Sequence, residues 1–225
     1  NWSSFTLPAS RSWKSVTYGN GKYVAVADAK YGAYSTDGIN WTGMTLPASK
    51  SWKVTYGNGK FVAIGWNSNQ GAYSTDGITW TGTTLPASYE WEDVAYGDGK
   101  YVAVADGVYG AYSTDGINWT EMSLPAGHSP SSVAYGNGKF VVVEYGNNKG
   151  AYSTDGINWT EMSIPTSPRW RRITYGDGKF VAIEWDGNKA AYSTDGINWT
   201  ITSMPLRRYP SSVAYGNGKF VVVEY

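Results

Sequence analysis

The side chains best suited to chemistry lie in two kinds of short stretch that change along the chain. One kind sets aromatics close to carboxylates and amides: Tyr31, Trp66, Tyr109, Tyr145, Trp185 and Tyr225 stand near Asp28, Asn67, Asp106, Glu144, Glu184 and Asp186. The other repeats a tryptophan at one position, Trp13, Trp52, Trp91 and Trp170, with Pro130 and Pro210 in its place elsewhere and Tyr209 beside the second proline. An aromatic face beside Asn, Asp or Lys suits a sugar ring, which offers C–H faces and hydroxyls. The same mixture builds protein interfaces. Charge is uneven in these stretches. Glu90, Glu92 and Asp93 come from one, and Arg169, Arg171, Arg172, Arg207 and Arg208 from two others, so an acidic arc and a basic arc are expected. Arg171 and Arg207 are the candidates for an anionic part of a ligand. The chain has no Cys and a single His128, so no disulfide or thiolate metal site can form, and neither metal nor cofactor is expected.

Composition narrows the partners. Lys and Arg number 18 against 18 Asp and Glu. A neutral chain carries no electrostatic footprint for nucleic acid or an anionic membrane surface. No apolar run approaches the roughly 20 residues of a membrane span, so membrane insertion is not expected. An extracellular, surface or virion-associated setting is the expectation.

The elements that must position these residues show as a repeat. The pair `NW` or `TW` begins at Asn1, Asn40, Thr79, Asn118, Asn158 and Asn198, giving a period of 39 or 40 residues across one domain, 1–225. Each unit reads as four short strands. In the second copy `KVTYG` (53–57) and `KFVAIGW` (60–66) flank Asn-Gly, a hairpin signal because a type I′ turn needs positive φ at both central residues. `GAYST` (71–75) follows, and a Ser-Thr-Asp-Gly turn leads into the next `NW`. No segment has a capped 3.6-residue apolar period, so almost no helix is expected. Four strands in about 40 residues match a β-propeller blade, with strands A to D running outward from the axis. A β-solenoid is the alternative.

The C–D turn reads Ser35, Asp37, Gly38, Trp41 and recurs as Ser74, Asp76, Gly77, Trp80, with three more copies. It resembles a shortened Asp-box, the motif of BNR and sialidase-like propellers. That resemblance implies a structural latch away from any active site. Physics agrees: Ser and Asp side chains can bond turn N–H groups, Gly supplies the positive φ, and Trp packs between blades. The Asn-x-Ser/Thr pattern at Asn1, Asn40, Asn118, Asn158 and Asn198 falls in this same turn, so its match to a glycosylation site is read as incidental.

The A–B and C–D turns hold nearly constant between copies, while the D–A and B–C loops change in every copy. In an up-and-down blade these two sets emerge on opposite faces. Variation on one face of a rigid disc is where binding is expected. The ligand-binding candidates are therefore Trp13, Tyr31, Trp52, Trp66, Trp91, Tyr109, Tyr145, Trp170, Trp185, Tyr209, Tyr225, Arg171 and Arg207. For the tryptophans, capping the blade ends is the competing reading.

Six D, six A, six B and five C strands are expected. Five blades are then complete, and a sixth is mixed: A and B from 206–225, D from residues 1–8. Five blades with spare strands is the alternative. An unfilled C position leaves an exposed edge and favours oligomerisation. Residues 130–145 and 210–225 are the same sixteen letters, as recent duplication or deliberate construction would produce.

The expected function is non-catalytic recognition of a glycan or a surface receptor. A structural, assembly or engineered scaffold is a second reading. The resemblance raises a third, a glycoside hydrolase, which would need an arginine triad, a Tyr–Glu nucleophile pair and an acid/base Asp. Here the arginines and carboxylates fall in different blades and in variable loops.

Overall fold

The computed structural model describes residues 4–125, 129–146, 148–165, 169–205 and 209–224, and among them the chain forms 22 strands and no helix. The first blade holds β1 (Trp13–Gly19), β2 (Lys22–Ala27), β3 (Tyr31–Ser35) and β4 (Thr42–Thr45). The second holds β5 (Trp52–Gly57), β6 (Lys60–Gly65), β7 (Ser68–Ser74) and β8 (Thr81–Tyr89). The third holds β9 (Trp91–Gly97), β10 (Lys100–Ala105), β11 (Tyr109–Ser113) and β12 (Thr120–Ser123). The fourth holds β13 (Pro130–Gly136), β14 (Lys139–Glu144), β15 (Lys149–Ser153) and β16 (Thr160–Ser163). The fifth holds β17 (Trp170–Gly176), β18 (Lys179–Glu184), β19 (Lys189–Ser193) and β20 (Thr200–Ser203), and a two-stranded sheet of β21 (Pro210–Gly216) and β22 (Lys219–Glu224) follows. Each blade is an antiparallel meander in chain order, so the all-β propeller read from the repeat is the fold.

The predicted hairpins form. Asn20 and Gly21 take φ of 46° and 71°, and the same pair of positive values recurs at every A–B turn through Asn217 and Gly218. One expected strand does not appear: residues 4–8 carry no strand, so the sixth sheet has A and B but no D among the described residues. A second difference lies at the start of A. The last letters assigned to the D–A loops belong to the strand, which begins at Trp13, Trp91, Pro130, Trp170 and Pro210 and carries a bulge one residue later. Blade two is one residue shorter there and has no bulge.

Blades are held by face-to-face packing. Val24 and Val26 of blade one pack with Trp52, Val54, Phe61 and Ala63 of blade two, and the same arrangement joins blades three to four and four to five. Burying each such side chain is worth about 1.5–3 kcal/mol. The C–D turn is a latch of fixed geometry. Ser35 Oγ donates to Asp37 Oδ1 at 2.9 Å and accepts from Gly38 N at 2.9 Å, and Asp37 Oδ1 accepts from Ile39 N and Asn40 N at 2.8 and 2.7 Å. Asn40 Nδ2 donates to the second carboxylate oxygen at 2.7 Å, so the asparagine of the Asn-x-Thr pattern works inside the latch, as do Asn118, Asn158 and Asn198. These bonds hold Asp37 well below the usual carboxylate range, led by the one from the Asn40 N–H.

The two ends of the arc are bare. Val54, Val94, Val133, Ile173 and Val213 are 5–7% exposed, while the equivalent Val16 is 62% exposed because no blade among the described residues covers it. Tyr18 and Tyr23 of the first blade and Val223 of the last sheet are exposed for the same reason.

Candidate functional site

The six A strands line an axial channel of about 770 Å³. One position per strand, following the bulge in every blade but the second, lines its mouth: Ser15, Lys53, Asp93, Ser132, Arg172 and Ser212. In blades one, three and four this residue has an oxygen that accepts an N–H from the next blade. Ser15 Oγ accepts from Val54 N at 3.3 Å, Asp93 Oδ2 from Val133 N at 3.2 Å, and Ser132 Oγ from Ile173 N at 3.3 Å. Asp93 also accepts from Ser132 Oγ at 2.6 Å and from its neighbour Val94 N at 3.0 Å. Arg172 Nη1 donates to the Ser131 and Arg171 carbonyls at 2.9 and 3.1 Å. Burial, followed by the repulsion of Arg172, lowers the Lys53 ammonium from 10.5 to about 8, with Asp93 and Glu92 acting the other way.

Bulges re-aim side chains, and here they turn Glu92, Ser131 and Arg171 toward the loop face. Those three, with Glu90, Asp106, Ser129, Pro130 and Tyr145, line a second cleft of about 220 Å³. Burial pushes the Glu92 carboxyl up, against the pull of Lys53 and the two arginines. The acidic and basic arcs are therefore not apart: Glu90, Glu92 and Arg171 share one cleft, and Asp93 and Arg172 share the channel. Arg169 is paired with Asp186 at 3.0 Å.

The loop face divides the candidate residues into two groups. The start of A, the end of B, the start of C and the end of D lie at one end of every complete blade, as the pairings Trp13 with Ala27 and Tyr31 with Thr45 show. A ring of equivalent residues follows the B strands: Asp28, Trp66, Asp106, Tyr145 and Trp185. Each donates its N–H to the residue before the A strand, as Trp66 N does to Ser51 O at 2.8 Å. Trp66 and Tyr145 are each 42% exposed. Trp185 carries the Arg171 guanidinium at 4.5 Å from its ring centroid and has Tyr209 at 6.1 Å. Tyr31 is covered by Arg11 at 3.8 Å, and Tyr109 stacks on Tyr89 at 4.1 Å.

The A-strand tryptophans sit elsewhere than expected of ligand platforms. Trp52, Trp91 and Trp170 are 0% exposed and Trp13 is half-buried. The indoles of Trp52, Trp91 and Trp170 wedge between blades. Trp52 Nε1 donates to Ala29 O at 3.0 Å and Trp91 Nε1 to Ser68 O at 2.9 Å, both in the preceding blade. Capping the blade ends is thus their role, and a flat Pro130 fits the same slot, itself buried. Tyr225 and Arg207 lie outside the described residues. The channel ring was missed in the sequence. Its signal was the one position that reads Ser, Lys, Asp, Ser, Arg, Ser around an otherwise repeated strand. No group of three or more His, Cys, Asp or Glu among the described residues could hold a metal ion.

Comparison with known proteins places the fold. A protein-family profile described as DUF6242 beta propeller domain matches residues 92–215, more than half of the chain. Among curated proteins none matches by sequence. A virginiamycin B lyase from Staphylococcus aureus superposes with a TM-score of 0.86 at 21% identity, over 96% of this chain and 79% of the lyase. A streptogramin B lyase gives 0.86 at 18% identity, over 98% and 79%. YCF48 bound to D1 peptide gives 0.73 at 18% identity, over 96% and 76%. At such identities the likeness is one of fold.

Proposed function

The chain belongs to the DUF6242 β-propeller domain family, and for it we propose a non-catalytic binding role in which the loop face takes an extended polypeptide segment. The observation that carries this reading is the cleft where Glu90, Glu92, Asp106 and Arg171 meet Tyr145. Charges of both signs beside exposed aromatics are what a peptide backbone with mixed side chains needs. Burial of Trp52, Trp91 and Trp170 removes three of the aromatic platforms that favoured a sugar, and Tyr31, Tyr109 and Trp185 already hold partners of their own. YCF48, which shares the fold, binds a peptide.

Glycan recognition is the second reading, favoured by the open faces of Trp66 and Tyr145. Two of the fold's other holders are lyases, so turnover is the third. Near-identical blades speak against one asymmetric catalytic centre, and the single His128 lies outside the described residues.

A displayed random-peptide library and a glycan array, each run with the protein and with its Trp66→Ala/Trp185→Ala variant, test the proposal. Enrichment of peptides by the parent and loss in the folded variant supports it. Glycan binding lost in the variant transfers the role to sugars. No enrichment on either by a folded parent overturns the binding role of this face.

A further inference from the structure

The channel mouth breaks its own pattern at two places. In blades one, three and four the ring residue contributes an oxygen that receives an N–H of the next blade. Lys53 and Arg172 have only donors, so neither can make that bond. They belong to blades two and five, far from each other in sequence, yet both line the same cavity of about 770 Å³. Arg172 does reach the Ser131 carbonyl of blade four, but Lys53 makes no such bond, so scaffold duty does not explain the lysine.

Nor does ion pairing. The Lys53 ammonium makes no hydrogen bond or ion pair among the described residues. The nearby carboxylate in the channel, Asp93, is turned to blade four and holds three bonds from Ser132 Oγ, Val133 N and Val94 N. Arg172 is fixed by two carbonyls on Nη1, which orients the guanidinium without neutralising it. Lys14, also in the lining, is paired with Asp28 at 3.3 Å. The channel thus holds two cations, Lys53 and Arg172, against the one hydrogen-bonded carboxylate of Asp93, so positive charge is in excess there.

We propose that the channel mouth is an oxyanion-binding site, in which Lys53 and Arg172 clamp a carboxylate or phosphate group. The proposal stands whether or not the loop face binds a peptide. Charge-assisted hydrogen bonds are the strong ones, and a bound anion offsets the repulsion between the two cations. Lys53 is faced by Arg171, Arg172, Glu92 and Asp93, and its lowered titration, near 8, means that the charged clamp is lost as pH rises past that value.

Calorimetric titration at fixed ionic strength tests this, with inorganic phosphate in one arm and succinate in the other. Saturable binding in either arm is expected, and the arm that binds names the oxyanion. Lys53→Gln should weaken it by about tenfold or more. Lys53→Arg should restore it. The affinity of the parent should fall between about pH 7 and about pH 10, and that of the Arg variant should not. Lys53 holds nothing in the fold, so both variants should melt as cooperatively as the parent. Non-saturating heats in both arms, or equal affinity in parent and Lys53→Gln, would overturn the proposal.

Discussion

Tyr175 closes over Gly136 so tightly that a Cβ on the glycine would lie 2.0 Å from the ring. The same clasp joins Gly19 to Tyr56, Gly57 to Tyr96, Gly97 to Tyr135 and Gly176 to Tyr215. Gly216 has nothing within 4 Å, although its strand has the same sequence as the one that holds Gly136. One sequence thus occurs twice, once covered and once bare. Its matching half, Tyr18, is 57% exposed at the other end of the arc.

Gly136→Ala should therefore destabilise the protein by about 1–3 kcal/mol, because the ring must shift or the blades must part. Gly216→Ala should stay within about 0.5 kcal/mol of the parent. Urea denaturation of the two variants checks both values. An equal loss in both would mean that another surface covers Gly216 in solution.

The latch predicts acid sensitivity. Asp76 is lowered to about 2, chiefly by the Ile78 N–H, and Asp115, Asp155 and Asp195 lie lower still through their bonds to the following residues. A carboxylate depressed on folding stabilises above its unfolded value near 3.8 and loses that contribution as pH falls through the folded value. The latch contribution should be flat above about pH 5 and decline steeply between about pH 4 and pH 2. Asp115→Ala should cost about 1 kcal/mol at neutral pH and flatten the acid limb by one latch. Thermal melts across that range read both effects.

The fold was legible because each blade writes its turns in residues with one conformational use. Asn-Gly and Asp-Gly mark the A–B hairpins, and the latch residues recur wherever blades meet. Placement of the tryptophans was not legible. A residue at the first position of an A strand stands at the edge of a loop in sequence, yet the neighbouring blade's B–C segment covers it in space. The bulge was hidden too, since one extra residue between Trp91 and Asp93 reads as loop until its pairing partner is known. That is why Asp93 and Arg172 read as parts of surface arcs in the sequence, and why Lys53, which stands for two residues in the shorter blade, carries no signal there.

The two classes of tryptophan should separate in a stability measurement. Trp91→Ala empties a fully buried site and deletes the bond to Ser68 O, so a loss of about 3–5 kcal/mol is expected. Trp66→Ala removes a side chain that is 42% exposed, and its cost should stay below about 1 kcal/mol. Chemical denaturation distinguishes them, and comparable losses would place Trp66 in the blade packing instead of on the binding face.

Lys53 should weaken the empty protein at neutral pH. Its folded value, about 8, lies below the ordinary 10.5, so between the two the unfolded chain holds a proton that the folded chain has released. Stability contributed at this site therefore rises with pH through that window, and the full penalty applies below it. Lys53→Met keeps the length of the side chain and removes the charge, so it should stabilise the ligand-free protein by ~1–3 kcal/mol at about pH 7. The advantage should shrink toward zero by about pH 10.5, where the parent's lysine is neutral when folded and half-neutral when unfolded. Paired urea titrations of parent and variant at both ends of the range measure it. A gain that stays constant with pH would assign the effect to packing and not to the buried charge, and would remove the electrostatic strain on which the channel's affinity for an oxyanion depends.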